Sequence, residues 1–259
     1  MPEIKHLPIV TVAISSMGKS YRDIQLPPPA KGIQYLILVQ KPPGEFDSPF
    51  GNREDVEIHA LQGIGLSRSR NAALDNCQTR YLLVSDDDVL VYPSGISALR
   101  DILMQRENVH FATGWRLERL PTSGKHAQEY KLTPFNSGRI CAPEFLIDVD
   151  AFRDKKIRFD IEFGLGAEYG VGEEYVFLTD AMKAGLEGIS CPIATGSHPD
   201  DSTGNIWQDT DLLRARAMLL KRVFGGWSTI IRIAYLLRHW RKFPSRRAII
   251  QFAMGHYRA

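Results

Sequence analysis

Three carboxylates stand side by side at Asp86, Asp87 and Asp88, directly behind the apolar run Tyr81-Leu82-Leu83-Val84. Adjacent carboxylates repel one another, and their crowding is unfavourable unless a cation or hydrogen-bond donors offset the charge. Mg²⁺ or Mn²⁺ can offset it, because such ions prefer oxygen ligands, take one or two protein carboxylates and fill their shell with water and phosphate oxygens. Asp also favours turns, so a solvated acidic turn is the plainer alternative. A second pair of acids, Glu173 and Glu174, follows the glycine-rich stretch 162–172 and opens a segment striped by Val176, Phe177, Ala181 and Met182. Acids at a helix start meet the positive end of its dipole, which also fits simple capping. Neighbouring helix positions diverge by about 100°, so one glutamate is expected to face a cleft while the other turns elsewhere. A third polar cluster, Thr195 to Gly204, holds His198, a residue that can bind metal or phosphate or sit idle on a surface.

The acids need a frame. Leu82, Leu83 and Val84 form a continuous apolar run, the pattern of a strand buried on both faces of a parallel sheet. Ligands of open α/β sheets bind outside the carboxyl ends of the strands, where the acids would stand. Leu7–Ile14, running into Ser15, Ser16, Met17 and Gly18, and Gln34–Val39, running into Gln40, read as further strands. Val56–Ala60 and Gly188–Ile193 read the same way. Pro27, Pro28 and Pro29 forbid a helix in the first crossover, and Lys41–Asn52 is loop by its Pro and Gly content. Gly63–Leu74 reads as a glycine turn, a Ser67 cap and an amphipathic helix leading into the acidic strand. Its glycines match neither a dinucleotide fingerprint nor a P-loop. The fold class is α/β with a mainly parallel central sheet.

With 259 residues, 44% hydrophobic and 24% charged, the chain suffices for one α/β domain and an appendage. Cys77, Cys141 and Cys191 lack any C-x-x-C spacing, so neither a disulfide framework nor a zinc ribbon is suggested, and a reducing, cytoplasmic setting is expected. No secretory signal is read near Lys5 and His6, and no apolar run approaches the ~18 residues of a spanning helix. The net charge of +2 conceals an asymmetry: eleven lysines and arginines and no acid follow Asp211, whereas the preceding residues hold 21 basic and 30 acidic side chains. The chain therefore divides into 1–211, expected to carry the chemistry, and a basic tail, 212–259. In the tail Trp227, Ile230, Ile231, Ile233, Leu236, Leu237, Trp240 and Phe243 interleave with Arg232, Arg238, Arg241 and Lys242, Arg232 interrupting the apolar run. That composition suits a helix lying on an anionic membrane surface, or one packed on the core. High aliphatic content without a recognisable motif argues against nucleic acid.

The order Gly65-Leu-Ser-Arg-Ser-Arg-Asn71, an apolar strand into Asp86-Asp-Asp88, the Gly172-Glu-Glu174 helix start and a late His198 loop resembles the inverting family 2 glycosyltransferases of GT-A fold, over about residues 8 to 205. Two positions depart from that family: Glu174 stands where Asp is usual, and Gln40 stands where many members carry an acid against the nucleotide base. The resemblance implies a nucleotide-sugar donor, foremost a UDP-sugar, a Mn²⁺ or Mg²⁺ cofactor and a hydroxyl acceptor on a glycan or lipid-linked glycan, as in cell-surface polysaccharide assembly at the inner membrane face. It also implies roles. Asp88, Asp86 and His198 would hold the metal, with Asp86, Asp87, Ser15 and Arg70 on the donor. Glu174, or its neighbour Glu173, would be the base, and Trp115 and Asn136 would line the sugar or acceptor pocket. Two rival readings stand beside it: a metal-dependent nucleotidyltransferase, weakened by the poor match of Ser15–Lys19 to a basic glycine loop, and a non-catalytic membrane-associated binding module.

Overall fold

The computed structural model describes residues 9–44, 47–198 and 206–255. In chain order its strands are β1 (Val10–Met17), β2 (Ile33–Gln40), β3 (Val56–Leu61), β4 (Tyr81–Asp86), β5 (Leu90–Val91), β6 (Phe111–Arg116), β7 (Tyr130–Lys131), β8 (Phe145–Asp148) and β9 (Gly188–Ser197). They form a single sheet in the order β3-β2-β1-β4-β8-β6-β9-β5, with β7 on the side of β9. β3, β2, β1, β4, β6 and β9 run one way, and β8, β5 and β7 run against them. The register sets Ser15 of β1 beside Asp86 of β4, so the ends of the two central strands emerge together.

Alternation along each strand divides the apolar residues between two cores. Val10, Val12, Ile14, Ile37 and Leu83 face α2 (Pro93–Gln105), which contributes Ile96, Leu99 and Leu103. Ala13, Leu36, Leu38, Leu82 and Val84 face the opposite way, toward Ala73 and Leu74 of α1 (Leu66–Asn76) and Phe177 and Leu178 of α4 (Glu173–Lys183). Burial on both faces is why these strands read as unbroken apolar runs. Phe177 stacks on Phe159 at 3.9 Å and meets Phe145 and Phe152, so the helix that begins with the two glutamates is seated in the core. α2 lies directly on β9: a Cβ at Gly95 would come within 1.8 Å of the Ala194 carbonyl oxygen, so only glycine permits the approach.

Some expectations need correction. Ser67 does not cap α1; Gly65 occupies the cap position at φ 126°, and the Ser67 hydroxyl instead donates to the Phe163 carbonyl at 2.6 Å. β9 extends to Ser197, so Thr195, Gly196 and Ser197 belong to a strand, held by β6 and β5 rather than lying in a loop. The remainder of that loop, Pro199–Gly204, lies outside the described residues, as do Leu7 and Pro8 of the first expected strand.

After α3 (Val149–Asp154) and α4, the chain ends in α5 (Thr210–Phe224), α6 (Ser228–His239) and α7 (Arg246–Met254). The Asp209 carboxylate caps α5 by accepting from the Asp211 and Leu212 amides. Ala215 and Val223 of α5 pack on Phe163, Tyr169, Tyr175 and Val176, while Leu213, Leu220, Phe243, Ala248 and Phe252 close a smaller core among the three helices. Arg232 does not interrupt an outward apolar face. It turns inward and is 6% exposed, its guanidinium donating to Ser228 and Thr229 hydroxyls and to the Ala253 carbonyl near the end of α7. Among the described residues no helix is long and apolar enough to cross a membrane.

Candidate functional site

A cleft of about 1260 Å³ opens where β1, β4, β6 and β9 end. Ser15, Asp86, Asp87, Asp88, Asn136, Glu173, Glu174 and His198 all line it, and the opposite wall is built by α5 and α6 through Arg216, Leu220, Ile231, Tyr235 and Arg238. Eight of the ten residues singled out from sequence thus face one space. Arg70 lies behind the acids, and Trp115 lies beneath Arg139.

Arg70 organises the floor of the cleft. Its side chain is 1% exposed, and its guanidinium reaches Glu173 Oε1 at 2.8 Å, Glu174 Oε1 at 3.0 Å and Asp86 Oδ1 at 3.0 Å. α1 delivers Arg70 from the sheet face below β4, and α4 delivers both glutamates from its first turn. The expectation that only one glutamate could face the cleft fails here. Gly172 precedes α4 in the left-handed region at φ 93°, and first-turn side chains can bend back toward a shared cation beyond the helix end. Leu219 of α5 sits against Gly172, where an added Cβ would fall 2.4 Å from its Cδ2 atom.

Three carboxylates against one guanidinium leave an excess of negative charge in a poorly solvated place. Burial pushes the Glu173 carboxyl up to about 8, its neighbour Glu174 adds to the rise, and Arg70 opposes it. Burial also raises Asp86, with Arg70 opposing. Glu174 differs in its partners, since it accepts the Ala142 amide hydrogen at 3.3 Å as well as facing Arg70.

The acidic triplet sends its side chains in three directions. Asp86 turns to Arg70, Asp87 accepts the Ser16 hydroxyl at 2.6 Å, and Asp88 is open to solvent with Oδ1 3.3 Å from His198 Nε2. His198 is positioned by the end of β9, where Glu118 accepts from the Ser197 hydroxyl and the His198 amide. Ser15 is buried and shares a 2.8 Å hydrogen bond with Ser69 of α1. Among the described residues no three His, Cys, Asp or Glu side chains cluster as a ready ligand set. Asp88 with His198 is therefore the pair most open to a cation, because Asp86 is already engaged.

The two residues expected in a sugar or acceptor pocket are placed differently. The Trp115 ring is buried, and the Arg139 guanidinium lies 3.2 Å from its centroid. Asn136 borders the cleft, yet its amide is consumed in a turn, accepting from Thr133 N at 2.7 Å and donating to Lys131 O at 3.0 Å. Arg139 bridges this wall to Glu144, at 3.2 Å, and to the Ser190 hydroxyl, at 2.8 Å. Burial raises Glu144, with Arg139 opposing. Arg116, Arg139 and Glu144, and the α5 and α6 wall, were not singled out from sequence. No motif marks the first three, and the basic amphipathic pattern of the tail was the signal that could have placed the wall.

No protein-family model and no curated protein matches the chain. Solved structures do. S. aureus TarS 1-349 in complex with UDP-GlcNAc is 11% identical over 94% of this chain and 81% of that one, with a TM-score of 0.62. The mannosyltransferase PcManGT from Pyrobaculum calidifontis, in complex with GDP-Man and Mn²⁺, is 13% identical over 98% and 76%, with a TM-score of 0.58. Glucosyl-3-phosphoglycerate synthase from Mycobacterium tuberculosis, in complex with Mn²⁺, UDP and glucosyl-3-phosphoglycerate, is 14% identical over 83% and 80%, with a TM-score of 0.54. The chain has the GT-A fold of these glycosyltransferases.

Proposed function

We propose that the protein is an inverting glycosyltransferase of the family 2 type, moving a sugar from a nucleoside diphosphate, foremost UDP, to a hydroxyl of a glycan or lipid-linked glycan. Residues 1–211 would be the catalytic part and 212–259 an appendage that supplies the far wall of the cleft. The carrying observation is Arg70, which ties the acid that ends β4 to both acids that open α4 on the floor of one cleft in this fold. A structural ion pair needs one carboxylate, whereas three gathered around a buried guanidinium at a strand end are the arrangement of a site.

Asp88 and His198 offer a carboxylate and an imidazole 3.3 Å apart on the open side of the cleft, a donor set that fits Mn²⁺ or Mg²⁺ with phosphate oxygens completing the shell. When bound, such a cation neutralises charge developing on the departing diphosphate. The chain's own residues do the rest. Ser15 and Asp87 border the nucleotide end, with Asp86 held by Arg70 to accept from a ribose hydroxyl. Glu174 takes the proton of the acceptor hydroxyl as its oxygen bonds to the anomeric carbon and the bond from that carbon to the diphosphate breaks. Arg70 and the Ala142 amide hold the Glu174 carboxyl group in place for this step. One displacement inverts the anomeric centre.

The test combines binding with turnover. A site-specific ligand stabilises the fold by mass action, so UDP and Mn²⁺ together should raise the melting temperature more than either alone. Glu174→Gln should keep that stabilisation and lose sugar transfer by on the order of 10²–10⁴-fold. Full activity in the Gln variant would remove Glu174 as base, and no stabilisation by any nucleoside diphosphate with Mn²⁺ would remove the glycosyltransferase reading.

A further inference from the structure

The exposed apolar side chains are unevenly distributed. Of the sixteen large hydrophobics that are exposed among the described residues, seven fall between Trp227 and Met254: Trp227, Ile230, Ile233, Leu237, Trp240, Ile250 and Met254. That segment is roughly a tenth of the chain. Ile230, Ile233 and Leu237 recur at three- and four-residue steps on one face of α6, and Trp240, directly after the helix, continues the series. Trp227, just before the helix, is 71% exposed, and Leu237 is 68% exposed.

Three faces of α6 have three surroundings. Ser228 and Arg232 are buried against the protein, Ile231, Ala234, Tyr235, Arg238 and His239 border the cleft, and the Ile230–Ile233–Leu237–Trp240 face is exposed. At about 100° per residue the centres of the cleft-facing and apolar faces lie roughly 150° apart, and their edges meet along Ile230 and Ala234. The rim of the cleft thus adjoins the apolar face. Around it Arg238, Arg241, Lys242, Arg246 and Arg247 are exposed, in a stretch with no acid after Asp211.

We infer that α6 lies in the interface of an anionic lipid bilayer, its Ile230–Trp240 face among the acyl chains and the surrounding arginines and lysine on the headgroups, with the cleft opening at the membrane surface. Exposed Trp and aliphatic groups on one side and basic groups beside them are the design of an interfacial helix. A second copy of the chain fits poorly, because a symmetric contact would set these basic groups against themselves with no acid to pair. On the glycosyl-transfer reading above, this orientation hands the site an acceptor tethered to lipid.

Flotation of the full chain with vesicles tests the inference. The wild type should float with phosphatidylglycerol-containing vesicles, bind pure phosphatidylcholine more weakly and lose binding as salt is raised. Leu237→Glu combined with Trp240→Glu, both outside the cleft, should weaken binding to the anionic vesicles by on the order of tenfold or more while leaving the melting temperature unchanged. Failure of the wild type to float, equal flotation of the variant, or a dimer in sedimentation velocity that the variant abolishes would each overturn the inference. Stabilisation by UDP and Mn²⁺ on the same samples reports the transfer reading separately.

Discussion

Replacing Arg70 with methionine keeps much of the side-chain volume but takes away the guanidinium shared by Asp86, Glu173 and Glu174 at 2.8–3.0 Å. Removing one member of a buried ionic cluster costs about 3–5 kcal/mol, because the partners stay buried without compensation. The cost must depend on pH. Glu173 and Asp86 are already raised in the folded protein by burial, and Arg70 is the opposing influence, so the variant raises them further. An acid whose folded value lies above its unfolded value stabilises fully below the unfolded value and loses that contribution as pH rises through the folded one. The window therefore opens in the ordinary carboxylate range and extends to about 8 for Glu173 in the wild type, and higher in the variant. Each proton that the folded variant binds in excess of the wild type returns roughly 1.4 kcal/mol per pH unit as pH falls. Urea denaturation of both proteins across this range should show a deficit near the full value at alkaline pH that shrinks steadily toward pH 5. A deficit that does not change with pH, or one below about 1 kcal/mol throughout, would refute the shared-cation account.

Asp88→Ala and His198→Ala should each remove the Mn²⁺-dependent part of the stabilisation by UDP, read by calorimetry, and Asp88→Ala should leave the apo stability within about 1 kcal/mol of wild type because Asp88 is solvent-exposed. Gly95→Ala should destabilise by about 1–3 kcal/mol in urea, since its Cβ would collide with the Ala194 carbonyl of a packed strand. Phe177→Ala, which breaks the 3.9 Å stack on Phe159 beneath α4, should cost about 3–5 kcal/mol and lower turnover at temperatures where the variant remains folded.

The strands with two buried faces were legible in the sequence because burial writes itself as an unbroken apolar run: β1, β2 and β4 overlap the strands expected at Leu7–Ile14, Gln34–Val39 and Leu82–Val84. The short antiparallel strands β5, β7 and β8 leave no such trace, being two to four residues long and held by their neighbours. Of the site, the residue types and their order were visible, and their convergence on one cleft was not. Arg70 read as one possible donor contact among several, since nothing in a chain shows that residues 70, 86, 173 and 174 meet. Helix periodicity misjudged the glutamates by treating the first turn as a rigid cylinder, although side chains there can bend past the helix end. The resemblance put Trp115 in the sugar or acceptor pocket, and only packing reveals Arg139 lying over its ring.

The reversal of β8 reaches beyond the sheet. Its neighbours β4 and β6 arrive at the crevice with their trailing ends, whereas β8 starts there, so the segment leading into it presents the Ala142 main-chain N–H to the space that the acids occupy. The Ala142 amide serves Glu174 and the Cys141 amide serves Glu144, and no replacement other than proline removes either donor. Cys141 borders the crevice and can vary in bulk while these backbone donors persist, whereas Ala142, 4% exposed in the apolar core, tolerates little added volume.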